Sequence, residues 1–181
     1  MEQPLMLDLC CGLGGASAPM RRRGWRVVRV DINPDVSPDY CADIRSWQWD
    51  GDRPRLIWAS PPCDEFSRED KPWTKTGNLP DLSIVKACIR LIDEIQPDYW
   101  AIENVRGAVP YFAPLLGKPS WVCHPYYLWG NLPPLPRRLK FPKKGDAPRK
   151  NRALVRAVIP FSLATAVADV CEGQQQLFRT D

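Results

Sequence analysis

A cysteine that follows two prolines and opens a polar run is placed differently from one inside an apolar stretch. Cys63 lies in ASPPCDEFSR, at the end of the apolar run RLIWAS (55–60). If that run is a strand, Cys63 sits at its carboxyl end, where open α/β sheets form their ligand crevice. Two prolines stiffen the approach, and a thiolate held there could add to an electron-poor ring carbon. The run YWAIENV (99–105) ends on Glu103 and Asn104, which brings a carboxyl to the same crevice. This spacing predicts a nucleophile with an acid partner. Upstream of both, Gly12, Gly14 and Gly15 follow Asp8 and the run PLMLDL (4–9). A glycine-rich turn lets backbone approach a ligand closely and leaves a helix N-terminus facing it. Asp31, near the end of WRVVRVDI (25–32), stands where nucleotide-type folds place a ribose-diol acceptor. Asp43, in CADI, is a further candidate polar contact.

These groups need strands to carry them. PLMLDL, WRVVRVDI, RLIWAS and YWAIENV read as four strands separated by helical patterns, which predicts a parallel α/β sheet. The clearest helix is DLSIVKACIRLIDEIQP, where Ile84, Val85, Cys88, Leu91, Ile92 and Ile95 form one stripe. Asp81 is placed to cap its start and Pro97 blocks its continuation. A second helix, IPFSLATAVADVC (159–171), opens with Pro160 near its first position and is apolar enough to be buried. The Pro-rich stretch 106–150 hides one or two strands, near 121–129 and 138–142. The polar loop from Asp64 to Asp81 is expected to move, with Trp73 as a reporter.

The chain has 181 residues, room for one catalytic domain over 1–172 and a polar tail over 173–181. Seven scattered cysteines without C-x-x-C spacing and a lone histidine, His124, argue against a disulfide framework and a zinc site. Most of the cysteines are expected to be small buried hydrophobes. The start MEQPLMLDLCC lacks the basic and apolar regions of a secretory signal, and no run is long enough to span a bilayer. A cytoplasmic protein without a membrane partner is the expectation. Net charge is +4, yet residues 137–156 carry nine Lys or Arg against one acid. Such asymmetry is the footprint of a surface that binds a polyanion.

Taken in order, the motifs resemble those of the cytosine-C5 DNA methyltransferases. DLCCGLGG is similar to the family's D-L-F-x-G-x-G-G, VDINP to its acid-bearing second motif and CADI to its third. SPPCDEFS resembles the catalytic P-C-Q-x-F-S, IENVRG matches E-N-V, and RAVIPFSLATAVA is similar to the final G-N-x-V-P-x-x-L-A. The resemblance implies a Rossmann-like methyltransferase fold, a mostly parallel sheet with flanking helices, that uses S-adenosylmethionine. It places the cofactor against Asp8, Cys10, Gly12, Leu13, Gly14 and Pro61, its ribose on Asp31 beside Ile32, and its adenine near Asp43 and Ile44. Cys63 would attack C6 of a flipped cytosine while Glu103 contacts N3 and N4. Arg138 or Arg137 would take the arginine role of the family's Q-x-R-x-R. DNA would be met by Ser67, Arg68, Arg137, Lys140, Lys143, Lys144, Arg149 and Lys150. A duplex hides C5 and C6, so the base must leave the stack.

Some positions depart from the family pattern. Cys10 stands for Phe, Asp64 for Gln, and Arg156-Ala157 for Gly-Asn. Only residues 142–155 separate RRLKF from the final motif, too few for a target-recognition domain. Low sequence selectivity, a separate specificity partner or a homo-oligomer would accommodate that. Two rival readings stay open, an RNA cytosine methyltransferase and a noncatalytic relative that binds cofactor or nucleic acid. A nicotinamide oxidoreductase fits worse, because the turn is G-x-G-G and Cys63 would be unexplained.

Overall fold

The structure is a computed structural model that describes residues 3–64, 66, 79–141, 155 and 157–173. Its strands are β1 (Leu5–Leu9), β2 (Arg26–Asp31), β3 (Tyr40–Cys41), β4 (Leu56–Ala59), β5 (Tyr99–Asn104), β6 (Trp121–Cys123) and β7 (Tyr126–Gly130). The helices are α1 (Ala18–Arg22), α2 (Ser83–Ile95), α3 (Val109–Leu116) and α4 (Phe161–Cys171). The strands form one sheet in the order β3-β2-β1-β4-β5-β7-β6. The first five run parallel, while β7 is antiparallel to β5 and β6 to β7. This is a Rossmann-like methyltransferase sheet, and the order reverses beside β1, so the carboxyl ends of β1, β2 and β4 open on a common crevice.

Alternation along the strands sorts the core into two layers. Leu5, Leu7 and Leu9 of β1 join Ile57, Ile102, Val85, Cys88, Leu91 and Phe112 on the α2 and α3 face. Met6 joins Trp58, Ala101, Met20, Leu163 and Val167 on the α1 and α4 face. Asp8 shares that second face, which sets a carboxyl into an apolar layer.

All four expected strands are present, each trimmed by one or two residues, and the helix from Ser83 starts where Asp81 accepts from Ser83 N at 2.8 Å and Ser83 Oγ at 2.8 Å. It ends at Gln96, in the left-handed region at φ 52, just before Pro97. Several details differ from expectation. Residues 131–141 form no strand, so the one expected near 138–142 is replaced by coil across its described part. There the side chains of Leu139 and Phe141 pack against the α4 layer, which leaves the backbone out of the sheet. Pro160 is the N-cap of α4, extended at ψ 139, and not its first helical residue. Among the cysteines only Cys11, Cys88 and Cys171 are buried, because the others fall in turns or at strand ends. The Pro-rich stretch also holds α3, with Pro110 in its first turn, where a missing N–H costs nothing, and Pro114 inside it. No helix of the described residues is long and apolar enough to cross a membrane.

Candidate active site

The site begins with the turn after β1. Cys10 takes φ 53 and Gly12 φ 49, so the chain reverses through left-handed backbone, which only glycine adopts at no steric cost. Gly12 N donates to Asp31 Oδ2 at 2.8 Å, and Asp31 Oδ1 accepts from Asn33 N at 2.9 Å. A side chain added at Gly12 would meet nothing within 4 Å, so the turn faces open space. Gly15 is needed for the opposite reason. A Cβ there would lie 2.6 Å from Val158 Cγ1, 2.7 Å from Ile159 O and 2.8 Å from Ile159 N. The segment before α4 is thus seated directly on the glycine turn.

Cys63 follows β4 in a stretch held by several hydrogen bonds and one buried ring. Ser60 N donates to Leu9 O at 3.1 Å, and the Trp58 indole N–H donates to Ser60 Oγ at 2.8 Å. Asn104, 1% exposed at the end of β5, donates through Nδ2 to Pro61 O at 3.0 Å. Phe66 N donates to Cys63 O at 2.9 Å, and the Phe66 ring packs edge-on against Phe112 at 5.4 Å. The backbone leading into Cys63 is therefore tied to the strand that carries Glu103. Glu103 pairs in register with Leu128 of β7 and shares its face of the sheet with Tyr126. Burial first, then the nearby Glu103 charge, pushes the Tyr126 phenol up to about 12.

These parts enclose one cleft of about 280 Å³. Cys10, Gly12, Asp31, Ile32, Asp43 and Ile44 line it from the β1 and β2 side. Cys63, Asp64, Ser60 and Pro62 line it from the β4 side, and Ile84 and Ala157 complete it. Four other expected cofactor contacts are not in its wall. Asp8 is buried behind the turn, Leu13 is 48% exposed, Gly14 faces Arg29, and Pro61 faces a smaller cavity with Phe66 and Phe112. Arg137, Arg138 and Lys140 are exposed on the coil beside α4, which Ser162 Oγ holds by donating to Lys140 O at 3.3 Å. Phe141 meets the Tyr126 ring at 4.9 Å, so this coil passes the Glu103 face of the sheet. Ser67, Arg68, Trp73, Lys143, Lys144, Arg149, Lys150 and Arg156 lie outside the described residues, as does most of the loop expected to move.

Charge in the cleft is unevenly held. Arg45 grips Asp43 through its side chain (2.6–3.0 Å) and its backbone N–H (2.9 Å), which holds that carboxyl down at about 2. Arg90 of α2 anchors the same turn by donating to Trp47 O at 2.9 Å and Ile44 O at 3.4 Å. The neighbouring Cys88 thiol, then burial, pushes Cys10 well above the usual thiol range, and burial pushes Cys11 up to about 12. Both stay protonated near neutral pH. Sequence reasoning missed three residues. Arg29 and Phe66 act through contacts far apart in sequence, and Asn104 was noted only for standing beside Glu103. A charged residue inside the apolar strand RVVRVD was the available signal for Arg29.

An S-adenosyl group fits this cleft on its own geometry. Gly12 opens onto free space, Asp31 is aimed at the turn with acceptor capacity left, and Ile32 is 64% exposed at the rim as an apolar face for a flat ring. Asp43 also lines the cleft, although Arg45 already occupies its oxygens.

The C-5 cytosine-specific DNA methylase family matches residues 5–110. A Frog virus 3 (isolate Goorha) protein named "Probable DNA (cytosine-5)-methyltransferase" is 29% identical over 115 residues, which are 55% of this chain and 52% of that one. The chain therefore spans about half the length of that curated relative. Among solved structures, the Entamoeba histolytica methyltransferase EhMeth superposes with a TM-score of 0.52 at 16% identity, over 75% of this chain and 55% of that one.

Proposed function

Since the chain belongs to the C-5 cytosine-specific DNA methylase family, we propose that it transfers a methyl group from S-adenosylmethionine to C5 of cytosine in DNA through a covalent Cys63 adduct. The observation that carries this reading is the shared cleft, in which Cys63 faces the same space as Gly12 and Asp31. When bound, the cofactor supplies an electrophilic methyl on a sulfonium. Gly12, Asp31, Ile32 and Ile44 would hold it from the β1 and β2 side. Cys63 would bond to C6 of a flipped cytosine as a thiolate, and the electron pair of the C5–C6 double bond would move onto C5, shared through C4 with N3. Glu103 supplies a proton to N3 and accepts one hydrogen bond from N4, which makes C5 nucleophilic. After C5 is methylated, its proton leaves to a base, the C5–C6 double bond returns as Cys63 departs as a thiolate, and the N3 proton goes back to Glu103.

The rigid links in the site serve this sequence. Asn104 fixes Pro61 and so keeps the thiol and the carboxyl on neighbouring strands in one register. Such positioning accounts for much of the acceleration available to an addition reaction. Arg137, Arg138, Lys140 and the remaining cations of 137–156 would hold the phosphates, and Ser67 and Arg68 would also meet DNA.

Incubation with mixed-sequence DNA and labelled S-adenosylmethionine, followed by nucleoside analysis, tests the reading. The expected product is 5-methylcytosine, and Cys63→Ala should make none while still binding S-adenosylhomocysteine. A 5-fluorocytosine duplex should leave a covalent adduct, because fluorine cannot depart as a proton does. Label found only in RNA would move the substrate to RNA. Turnover by Cys63→Ala would overturn the mechanism.

A further inference from the structure

We infer that Arg29 is the positioning residue of the cofactor cleft, a single guanidinium that sets the glycine turn and the acid-bearing loop against each other. The inference rests on the cleft being the S-adenosylmethionine site. Arg29 Nη2 donates to Gly12 O at 2.8 Å and to Val36 O at 2.9 Å, and Nη1 donates to Ser37 O at 3.2 Å. Gly12 belongs to the turn after β1, whereas Val36 and Ser37 close the 3-10 turn that follows Asp31. One planar fork thus joins the two loops that form this wall of the cleft.

Gly12 is held at both of its backbone groups by one strand. Its carbonyl accepts from Arg29 and its N–H donates to Asp31 at 2.8 Å. Residues 29 and 31 are two apart on β2, so both side chains emerge on one face of the sheet. Gly14 belongs to the same arrangement, because a Cβ there would lie 3.0 Å from Arg29 Nε. The missing side chain at 14 makes the room that the guanidinium fills.

The guanidinium has a buried neighbour across the sheet. Asp8 of β1 is in register with Arg29 of β2, and Asp8 is 1% exposed. Among the described residues neither Asp8 oxygen nor Arg29 Nε has a hydrogen-bond partner, and Ser17 Oγ beside the carboxyl donates to Gly14 O at 3.3 Å instead. Asp8 therefore lies beside the guanidinium without competing for the Nη donors. Those remain free for the three carbonyls.

A lysine cannot reproduce this, since one ammonium on a flexible stem does not span three carbonyls in a fixed plane. The test uses the full chain and S-adenosylhomocysteine, with binding read by calorimetry. Arg29→Met and Arg29→Lys should each weaken binding about tenfold or more, while Asp31→Ala combined with either should cost less than the product of the two effects. In the free protein, hydrogen exchange should quicken at residues 10–15 and 33–37 and stay unchanged in β4 and β5. A merely structural arginine would lower stability throughout and leave the exchange pattern even. Should Arg29→Met fail to fold, Arg29→Lys keeps a cation opposite Asp8 and carries the test. Binding by Arg29→Lys within twofold of the unaltered chain would overturn the inference. No binding by the unaltered chain would overturn the cofactor reading, and this inference with it.

Discussion

Replacing Asp8 by Asn should flatten the protein's dependence of stability on pH. Burial raises the Asp8 carboxyl from 3.8 to about 7, against the smaller opposing pull of the Arg29 and Arg21 charges, with the Asp31 charge adding to the rise. The folded state therefore binds a proton that the unfolded state releases above pH 3.8. This contribution to stability is complete below about pH 4, declines through the interval and is gone once pH passes about 7. At about 1.36 kcal/mol per tenfold change in proton affinity, the rise corresponds to at most about 4 kcal/mol. Asn has the shape of the acid and never ionises. Urea unfolding of both chains at intervals from pH 4.5 to 8 isolates the effect, because every other titrating group is common to the two. The Asn variant should match the unaltered chain near pH 4.5 and exceed it by several kcal/mol at pH 8, roughly as that proton linkage requires. Parallel profiles would refute the reasoning and mean that Asp8 finds water or a donor that keeps it ionised.

Asn104→Asp removes the donor to Pro61 O and should cost about 1–3 kcal/mol in urea unfolding. Turnover should fall more than S-adenosylhomocysteine affinity, and equal losses in both would contradict the role given to Asn104. Gly15→Ala drives a Cβ into Ile159 backbone, which cannot rotate away, so a loss of about 1–3 kcal/mol is expected. For a chain of this size that is a fall in Tm of at least about 2–4 °C, and an unchanged melt would show that the 158–159 segment gives way. Alanine at Lys143, Lys144, Arg149 and Lys150 together should flatten the salt dependence of DNA binding and weaken unrelated sequences alike. A selective loss on one sequence would assign those residues to base reading.

The strand ends that hold Gly12, Asp31, Cys63 and Glu103 were legible because each follows a short apolar run, and a parallel sheet places all such ends on one side. Their convergence needed only topology. Arg29 was not legible, since a strand position says nothing about which distant carbonyls a guanidinium will meet. Gly15 read as one more turn glycine, while its real constraint comes from Val158 and Ile159, far along the chain. The Pro-rich stretch misled in both directions. Periodicity cannot show that Pro110 and Pro114 are tolerated in α3, nor that the coil around Leu139 and Phe141 buries side chains without pairing its backbone.

The seat of Val158 and Ile159 on Gly15 has a consequence for the order of synthesis. A ribosome delivers the glycine turn, Asp31, Cys63 and Glu103 before residues 158–171 exist, yet the turn rests on those residues. Helix α4 also brings Asp169 to Arg23, and Glu172 beyond its end reaches Arg23 and Trp25, so α1 lacks its partners until then. A nascent chain that already carries Cys63 therefore has an open-backed turn. The turn is completed only in a late closing step, after translation has passed residue 171.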